Sequence, residues 1–185
     1  MAVSTTNLTD TIGIQLKDAF VVIVKTEWNA HVVNVLEQGA IKKLTENGIA
    51  FKTLTVPGAF ELPFAVNKYW QHLKEQEEEE LLDEDFLLEI EKLDKFKPKS
   101  IYFPDAFIVL GCVIKGDTPH FDYVCAGVTQ GIMQLNTTLP VPTIYGVLTV
   151  DNEEQAAERM GGKYGHKGEE AAAAAIKMMA LVDAL

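Results

Sequence analysis

Short apolar stretches alternate along this chain with longer stretches in which apolar residues recur every three or four positions. The short stretches have the length and composition of buried strands and cover residues 19–24, 51–56, 106–110 and 141–150. Helical spacing is found in the stretches between them, over 29–47, from near residue 60, over 122–136, briefly after 151 and over about 168–185. This alternation of strands and helices predicts a single domain with a parallel sheet and helices on both faces.

Local signals place several helix ends. Asn29 is a suitable cap for the first long helix, and Gly48 fits the left-handed residue that ends it. Asp151 or Asn152 is expected to cap the short helix that ends near residues 160–162. On the helix over 122–136, one face carries apolar residues at helical spacing, namely Val124, Val128, Ile132 and Leu135.

Two segments fall outside this regular alternation. Residues 71–100 form an acidic insertion with apolar residues at helical spacing, which predicts an extended or paired amphipathic helix, either simply solvated or used to dock a partner. Residues 1–18 form a polar N-terminal arm without proline, and this arm is free to add as a strand to a neighbouring chain.

Composition narrows the function. The chain has 185 residues, 48% of them hydrophobic, and a formal net charge of −11. That charge argues against nucleic acid as a partner. The sequence predicts no signal peptide, no membrane span and no metal site, and its two cysteines are expected to be reduced thiols, so a cytoplasmic location is expected.

The stretch 111–123 is the richest in chemistry. It follows an apolar strand and precedes a helix, so it is expected at the carboxyl edge of the sheet, where ligands bind. Backbone amides near Gly116 can hold a phosphate, and Thr118 adds a hydroxyl. His120 is placed to transfer protons, although a structural histidine is an equally good interpretation.

Three further side chains at carboxyl edges allow two interpretations each. Trp28 can stack on a planar heterocycle or close the edge of the core. Glu61 can accept hydrogen bonds from sugar hydroxyls or match the dipole of a helix start. Arg159, the only arginine of the chain, can bind phosphate or form an ion pair with Glu154 or Glu158.

Together these groups favour chemistry between a planar heterocycle and a small phosphorylated compound, without a metal or cofactor. The chain has no dinucleotide-binding glycine motif, Walker motif or nucleophile elbow. In five ordered blocks it resembles the lumazine synthase family. The matching residues are 27–29, 56–63, 111–124, 141–149, and a last block made of 154–159, 161–163 and 167–168.

The resemblance implies a flavodoxin-like α/β/α sandwich that condenses 5-amino-6-ribitylamino-pyrimidinedione with 3,4-dihydroxy-2-butanone 4-phosphate. It implies that His120 is catalytic. The residues implied for the pyrimidine and ribityl chain are Trp28, Asn29, Gly58, Ala59, Phe60, Glu61, Val113, Ile114, Lys115 and Tyr145. Those implied for phosphate are Gly116, Asp117, Thr118, Arg159 and Lys167.

The resemblance also implies a homo-oligomer, either a pentamer or an icosahedral shell of pentamers, and riboflavin synthase as a partner. Tyr145, Arg159 and Lys167 would then come from a neighbouring subunit. His166, beside Lys167, stands where asparagine is common in the family, and the insertion 71–100 is not usual there. Two alternatives stay open: an archaeal-type riboflavin synthase and a non-catalytic shell protein that binds flavin or lumazine.

Overall fold

The computed structural model describes residues 9–90 and 103–185 of the chain. In chain order, its elements are β1 Phe20–Thr26, α1 Ala30–Glu46, β2 Ala50–Val56, a 3-10 turn Ala59–Glu61, α2 Leu62–Ile90, β3 Ala106–Ile114, α3 His120–Thr138, β4 Thr143–Val150, α4 Glu153–Ala157, β5 Met160–Gly162, β6 Gly165–His166 and α5 Lys167–Asp183. The predicted alternation of strands and helices is confirmed.

Four strands form one parallel sheet in the order β2-β1-β3-β4. Consecutive residues of β1 point to opposite faces, and both sets are buried. Val21 and Ile23 pack in the core under α1 and α5. Val22 and Val24 pack in the core under α2 and α3. The chain is therefore the predicted three-layer α/β/α sandwich with a core on each face.

The strand order creates a crevice. From β1, the chain passes through α1 to β2 on one side, and it then passes through α2 to β3 on the other side of β1. The two connecting helices lie on opposite faces, so they diverge above the carboxyl ends of β1 and β3. Ligands of open α/β sheets bind at such a reversal.

The start of β1 is held by a reciprocal pair of hydrogen bonds. The Phe20 amide donates to the Asp105 carboxylate at 2.7 Å, and the Asp105 amide donates to the Phe20 carbonyl at 2.8 Å. Asp105 directly precedes β3, so this pair aligns the first residues of two neighbouring strands.

Helix α2 continues into the acidic segment. Trp70 and Leu73 of α2 are buried against the body, and residues 74–79 are exposed. The backbone remains helical to Ile90, and the rest of the predicted insertion, residues 91–100, lies outside the described residues. Of the predicted arm, residues 1–8 lie outside them as well, and Ile14 and Leu16 pack against the core. None of the described helices has the length and apolarity needed to span a membrane.

One local prediction is wrong, and one element was not predicted. The segment Gly111 to Ile114 is not part of a turn but completes β3, where it pairs with β4 from Val147 to Val150. Gly111 allows close packing there, since a Cβ on it would lie a tight 3.3 Å from Thr26 Cγ2. The hairpin β5–β6, after α4, was not predicted, because strands of three and two residues carry no periodicity.

Candidate active site

A cavity of about 720 Å³ opens at the carboxyl ends of β1, β2 and β3. It lies at the strand-order reversal, as expected for this topology. Of the predicted site residues, it is lined by Trp28, Asn29, Gly58, Ala59, Phe60, Glu61, Val113, Ile114, Gly116, Thr118 and His120. Residues from three distant parts of the sequence therefore meet around one space.

Two aromatic side chains give the cavity apolar surfaces. The side chain of Trp28 is 74% exposed and that of Phe60 is 61% exposed, so neither closes the core. Phe60 packs against α3 at Gly127, where a Cβ would lie 2.5 Å from the ring. Large exposed rings that line a cavity are suited to stacking on a planar ligand.

The backbone that carries Trp28 is fixed on two sides. The Trp28 amide donates to the Pro57 carbonyl at 3.1 Å, which joins the loop to the end of β2. Asn29 adopts a left-handed conformation with φ of 57°, and its side-chain amide donates to the Cys112 carbonyl of β3 at 2.9 Å. Asn29 therefore occupies the predicted N-cap position of α1, but its side chain makes no capping bond. Asparagine tolerates this φ better than most residues.

We expect replacement of Asn29 to loosen the Trp28 loop. Asn29→Gly keeps the left-handed conformation accessible but removes the side-chain amide that donates to Cys112. Asn29→Ala removes this donor and also disfavours the left-handed conformation, so it should destabilise the fold by about 1–3 kcal/mol. In a Trp70→Phe background, Trp28 is the sole tryptophan. Its fluorescence anisotropy should fall in both variants.

Asn34→Ala is a matched control, because Asn34 lies exposed on α1 and its side chain accepts a bond from Lys25. This variant should leave the anisotropy of Trp28 unchanged. An unchanged anisotropy in Asn29→Ala would show that the bond to Cys112 does not fix the loop.

The turn after β2 brings backbone and a carboxylate to the cavity. Gly58 is extended, and a Cβ on it would lie 3.0 Å from Glu61 Oε2. The absence of a side chain at Gly58 thus leaves room for the Glu61 carboxylate beside the backbone of this turn. This carboxylate can accept hydrogen bonds from hydroxyl groups of a ligand.

The third side of the cavity is the segment between β3 and α3. His120 is the first residue of α3, a helix of 19 residues, so the free amides of the first turn face the same region. Gly116 and Thr118 precede it and line the cavity, whereas Lys115 and Asp117 do not. The Lys115 ammonium lies 3.8 Å from the Asp151 carboxylate after β4.

Four lining residues were not predicted, namely Cys112, Phe121, Tyr123 and Val124. The last two follow His120 by three and four positions, which places them on its face of α3 and was a usable signal. Burial raises the pKa of the Cys112 thiol to about 11, which makes a thiolate nucleophile unfavourable.

Besides Lys115 and Asp117, three further predicted residues do not line this cavity: Tyr145, Arg159 and Lys167. Tyr145 lies on β4, where its hydroxyl is 3.2 Å from the Thr129 hydroxyl of α3. Burial raises the pKa of Tyr145, so its phenol stays protonated at neutral pH.

The Arg159 guanidinium forms a two-bond fork with the Glu170 carboxylate, at 2.9 and 2.6 Å. Sequence had offered Glu154 or Glu158 as its ion-pair partner, and the structure gives Glu170 of α5 instead. Arg159 also donates to the Tyr164 carbonyl in the β5–β6 hairpin. Its guanidinium is therefore fixed in one orientation.

Lys167 begins α5, and its amide donates to the Arg159 carbonyl at 2.9 Å. Burial lowers the pKa of Lys167, Glu170 opposes this shift and Arg159 adds to it. The two cations thus lie on one rigid unit made of the hairpin and the start of α5. Among the described residues, no cluster of three His, Cys, Asp or Glu side chains is arranged to hold a metal.

A family model described as 6,7-dimethyl-8-ribityllumazine synthase matches residues 18–80 and 85–183. Curated proteins of that name are similar to the chain. The protein of Bacteroides fragilis is 43% identical over 163 residues, which cover 86% of this chain and 94% of the relative. Those of Parabacteroides distasonis and Porphyromonas gingivalis are 42% and 43% identical and cover 85% and 89% of this chain, and 82% and 86% of their own lengths. The chain therefore belongs to the 6,7-dimethyl-8-ribityllumazine synthase family.

Proposed function

We propose that this chain condenses 5-amino-6-(D-ribitylamino)pyrimidine-2,4-dione with 3,4-dihydroxy-2-butanone 4-phosphate to give 6,7-dimethyl-8-ribityllumazine, phosphate and water. Membership of the family supports this reaction. The observation that carries it is one cavity in which two exposed aromatic rings, the backbone at the ends of β2 and β3, and His120 come together.

The pyrimidine would lie against Trp28 and Phe60, with its polar edge on the backbone of Val113 and Ile114. Glu61 would bind the ribityl hydroxyls. Both substrates are held close together in this arrangement. Such orientation can supply roughly 7–11 kcal/mol of barrier reduction, which suits a reaction between an amine and a ketone.

His120 would relay protons in three steps: imine formation with loss of water, elimination of phosphate, and ring closure by the second amine with loss of a second water. Its position at the first residue of α3 places it beside amides that can hold an anion. Gly116 and Thr118 lie next to it on the cavity wall, so the leaving phosphate would depart within reach of both the amides and the imidazole.

The rest of the phosphate site would come from a neighbouring subunit of a homo-oligomer. Arg159, Lys167 and Tyr145 do not line the cavity of their own chain, which supports a site completed at a subunit interface. Exposed apolar side chains on the α2 and α3 side of the sheet suit such an interface, namely Phe60, Phe64, Tyr123 and Met133. We infer a pentamer, alone or assembled into an icosahedral shell. A mass measurement by light scattering distinguishes these from a monomer.

We expect the KM for the butanone phosphate to rise at alkaline pH, and this rise should begin at a lower pH than if the phosphate were bound by a lysine with an ordinary pKa. Since burial lowers the pKa of Lys167 from 10.5, its ammonium loses charge at a pH where other lysines keep theirs. Phosphate binding should weaken as pH rises through that lowered pKa. Lys167→Arg should stay charged and flatten the rise. An identical pH profile in Lys167→Arg would contradict the role of Lys167.

The reaction itself is tested with the purified oligomer and both substrates. Product absorbance and released phosphate should appear in equal amounts. Turnover of lumazine alone would instead identify an archaeal-type riboflavin synthase. Tight lumazine binding without turnover would identify a non-catalytic shell protein.

We also infer a cytoplasmic enzyme whose product is used by riboflavin synthase. The two free thiols, Cys112 and Cys125, are consistent with a reducing compartment. Co-purification with a riboflavin synthase from the same cells would test the partnership.

A further inference from the structure

His166 packs its ring directly onto the backbone of α1. A Cβ on Gly39 would lie 2.2 Å from His166 Cε1, 2.6 Å from Nδ1 and 2.7 Å from Nε2, so any side chain at Gly39 would collide with the ring. The ring is also near β5, with Cδ2 3.6 Å from a Cβ on Gly161. His166 is therefore enclosed between a helix and the β5–β6 hairpin.

A second close approach lies two residues further on. A Cβ on Gly168 would lie 1.8 Å from the Leu36 carbonyl oxygen of α1. Lys167 stands between these two contacts. The backbone of Lys167 is thus held against α1 by the contacts of His166 and Gly168, the residues before and after it. Each of these contacts requires a glycine, Gly39 in one case and Gly168 in the other.

The same contacts locate Arg159. Its carbonyl accepts the Lys167 amide at 2.9 Å, and its guanidinium is held by Glu170, one turn into α5. A shift of the start of α5 would therefore move both cations together. Because oriented charges bind an anion only in one geometry, a displacement of about 1 Å can reduce turnover up to 10²-fold.

The contribution of His166 to the structure comes from packing and not from hydrogen bonding. Its Nδ1 is buried and finds no hydrogen-bond partner among the described residues. A buried polar atom without a partner is unfavourable. The shape of the ring, filling the space above Gly39, is the contribution that remains.

We propose that His166 and Gly39 form a size-matched pair that positions Lys167 and Arg159 for the phosphate of the substrate. This inference rests on the proposed function, in which both cations bind phosphate. His166 is a positioning residue, since it acts through its neighbours and does not line the cavity.

The test compares Gly39→Ala, His166→Ala and the double variant, each as the intact oligomer. Gly39→Ala should raise the KM for the butanone phosphate at least about 10-fold and leave the KM for the pyrimidine within about 2-fold. Adding His166→Ala makes room for the new methyl group, so the double variant should recover most of the loss. A double variant no better than Gly39→Ala, or equal rises in both KM values, would overturn the proposal.

Affinity for inorganic phosphate, followed by ³¹P NMR titration, should fall in Gly39→Ala and recover in the double variant. This readout needs no turnover, so it separates failure of the positioning pair from failure of the proposed reaction. If phosphate affinity is the same in all variants, the pair does not position the cations.

Gly131→Ala is the matched control. Gly131 is also a helical glycine, and a Cβ on it would lie 2.6 Å from Pro63 Cγ on the other face of the sheet. The variant should lower the melting temperature without a selective effect on phosphate. If Gly131→Ala also raised the KM for the butanone phosphate selectively, the effect of Gly39→Ala would be due to general destabilisation, and this would count against the pair.

Discussion

Replacement of His120 by alanine is expected to lower kcat by about 10²–10⁴-fold and to change both KM values little. The expected loss follows from its place at the start of α3, on the wall of the cavity and beside the amides that would hold the leaving phosphate. His120→Gln keeps a hydrogen-bonding side chain but cannot exchange protons near neutral pH, so it should be nearly as slow. Product absorbance under saturating substrates gives kcat for each variant.

His72 provides the control for this experiment. It is exposed on α2, and its replacement by alanine should leave kcat unchanged. If His120→Ala instead raises both KM values and lowers the melting temperature, the histidine is structural, which is the interpretation that sequence alone left open.

Replacement of Arg159 by alanine is expected to raise the KM for the butanone phosphate by roughly 10- to 150-fold, corresponding to the 1.5–3 kcal/mol typical of a charge-assisted hydrogen bond. The KM for the pyrimidine should change far less. Arg159→Lys keeps the charge but cannot keep both bonds to Glu170, so it should fall between the wild type and Arg159→Ala. Equal KM values for wild type and Arg159→Ala would refute a role in phosphate binding.

Mixed oligomers determine which subunit supplies Arg159. If each site combines His120 of one subunit with Arg159 of the next, then co-expressed His120→Ala and Arg159→Ala chains in equal amounts should restore about a quarter of the sites. If both residues act within one chain, every site in the mixture stays defective. Activity no greater than that of the two separate variants would therefore contradict the shared site.

The strands and helices could be predicted because the chain changes hydrophobic period at each boundary. The end of β3 could not, since Gly111 was interpreted as a turn residue although it permits close contact with Thr26 inside the sheet. Tertiary packing, which no local pattern reports, decides between these two uses of glycine. The same reason explains Asn29, whose side chain bonds to Cys112, a residue 83 positions away.

The candidate site was predictable where its residues follow strands. Trp28, Phe60 and His120 meet because parallel strands end at one edge, a property that the strand–helix alternation already implies. The partner of Arg159 was not predictable, because Glu170 lies eleven residues away on an element reached through an unpredicted hairpin. The contact of His166 with Gly39 depends on how α5 packs on α1. A histidine and a glycine give no sign in the sequence that they will be in contact.

The hydrogen bonds between Phe20 and Asp105 have a consequence for how the sheet assembles. Since residues 21–24 of β1 are apolar toward both layers, sliding the strand by one residue would mostly exchange one aliphatic side chain for another, and only the shift that puts Lys25 at the place of Val24 would bury a charge. Hydrophobicity is therefore a weak guide to alignment in this strand. Asp105 helps to set the alignment of β1 with β3, because its amide and its carboxylate can both form hydrogen bonds with the backbone of Phe20 in one alignment only. Correct assembly of the central strands thus depends on a surface aspartate at the edge opposite the cavity.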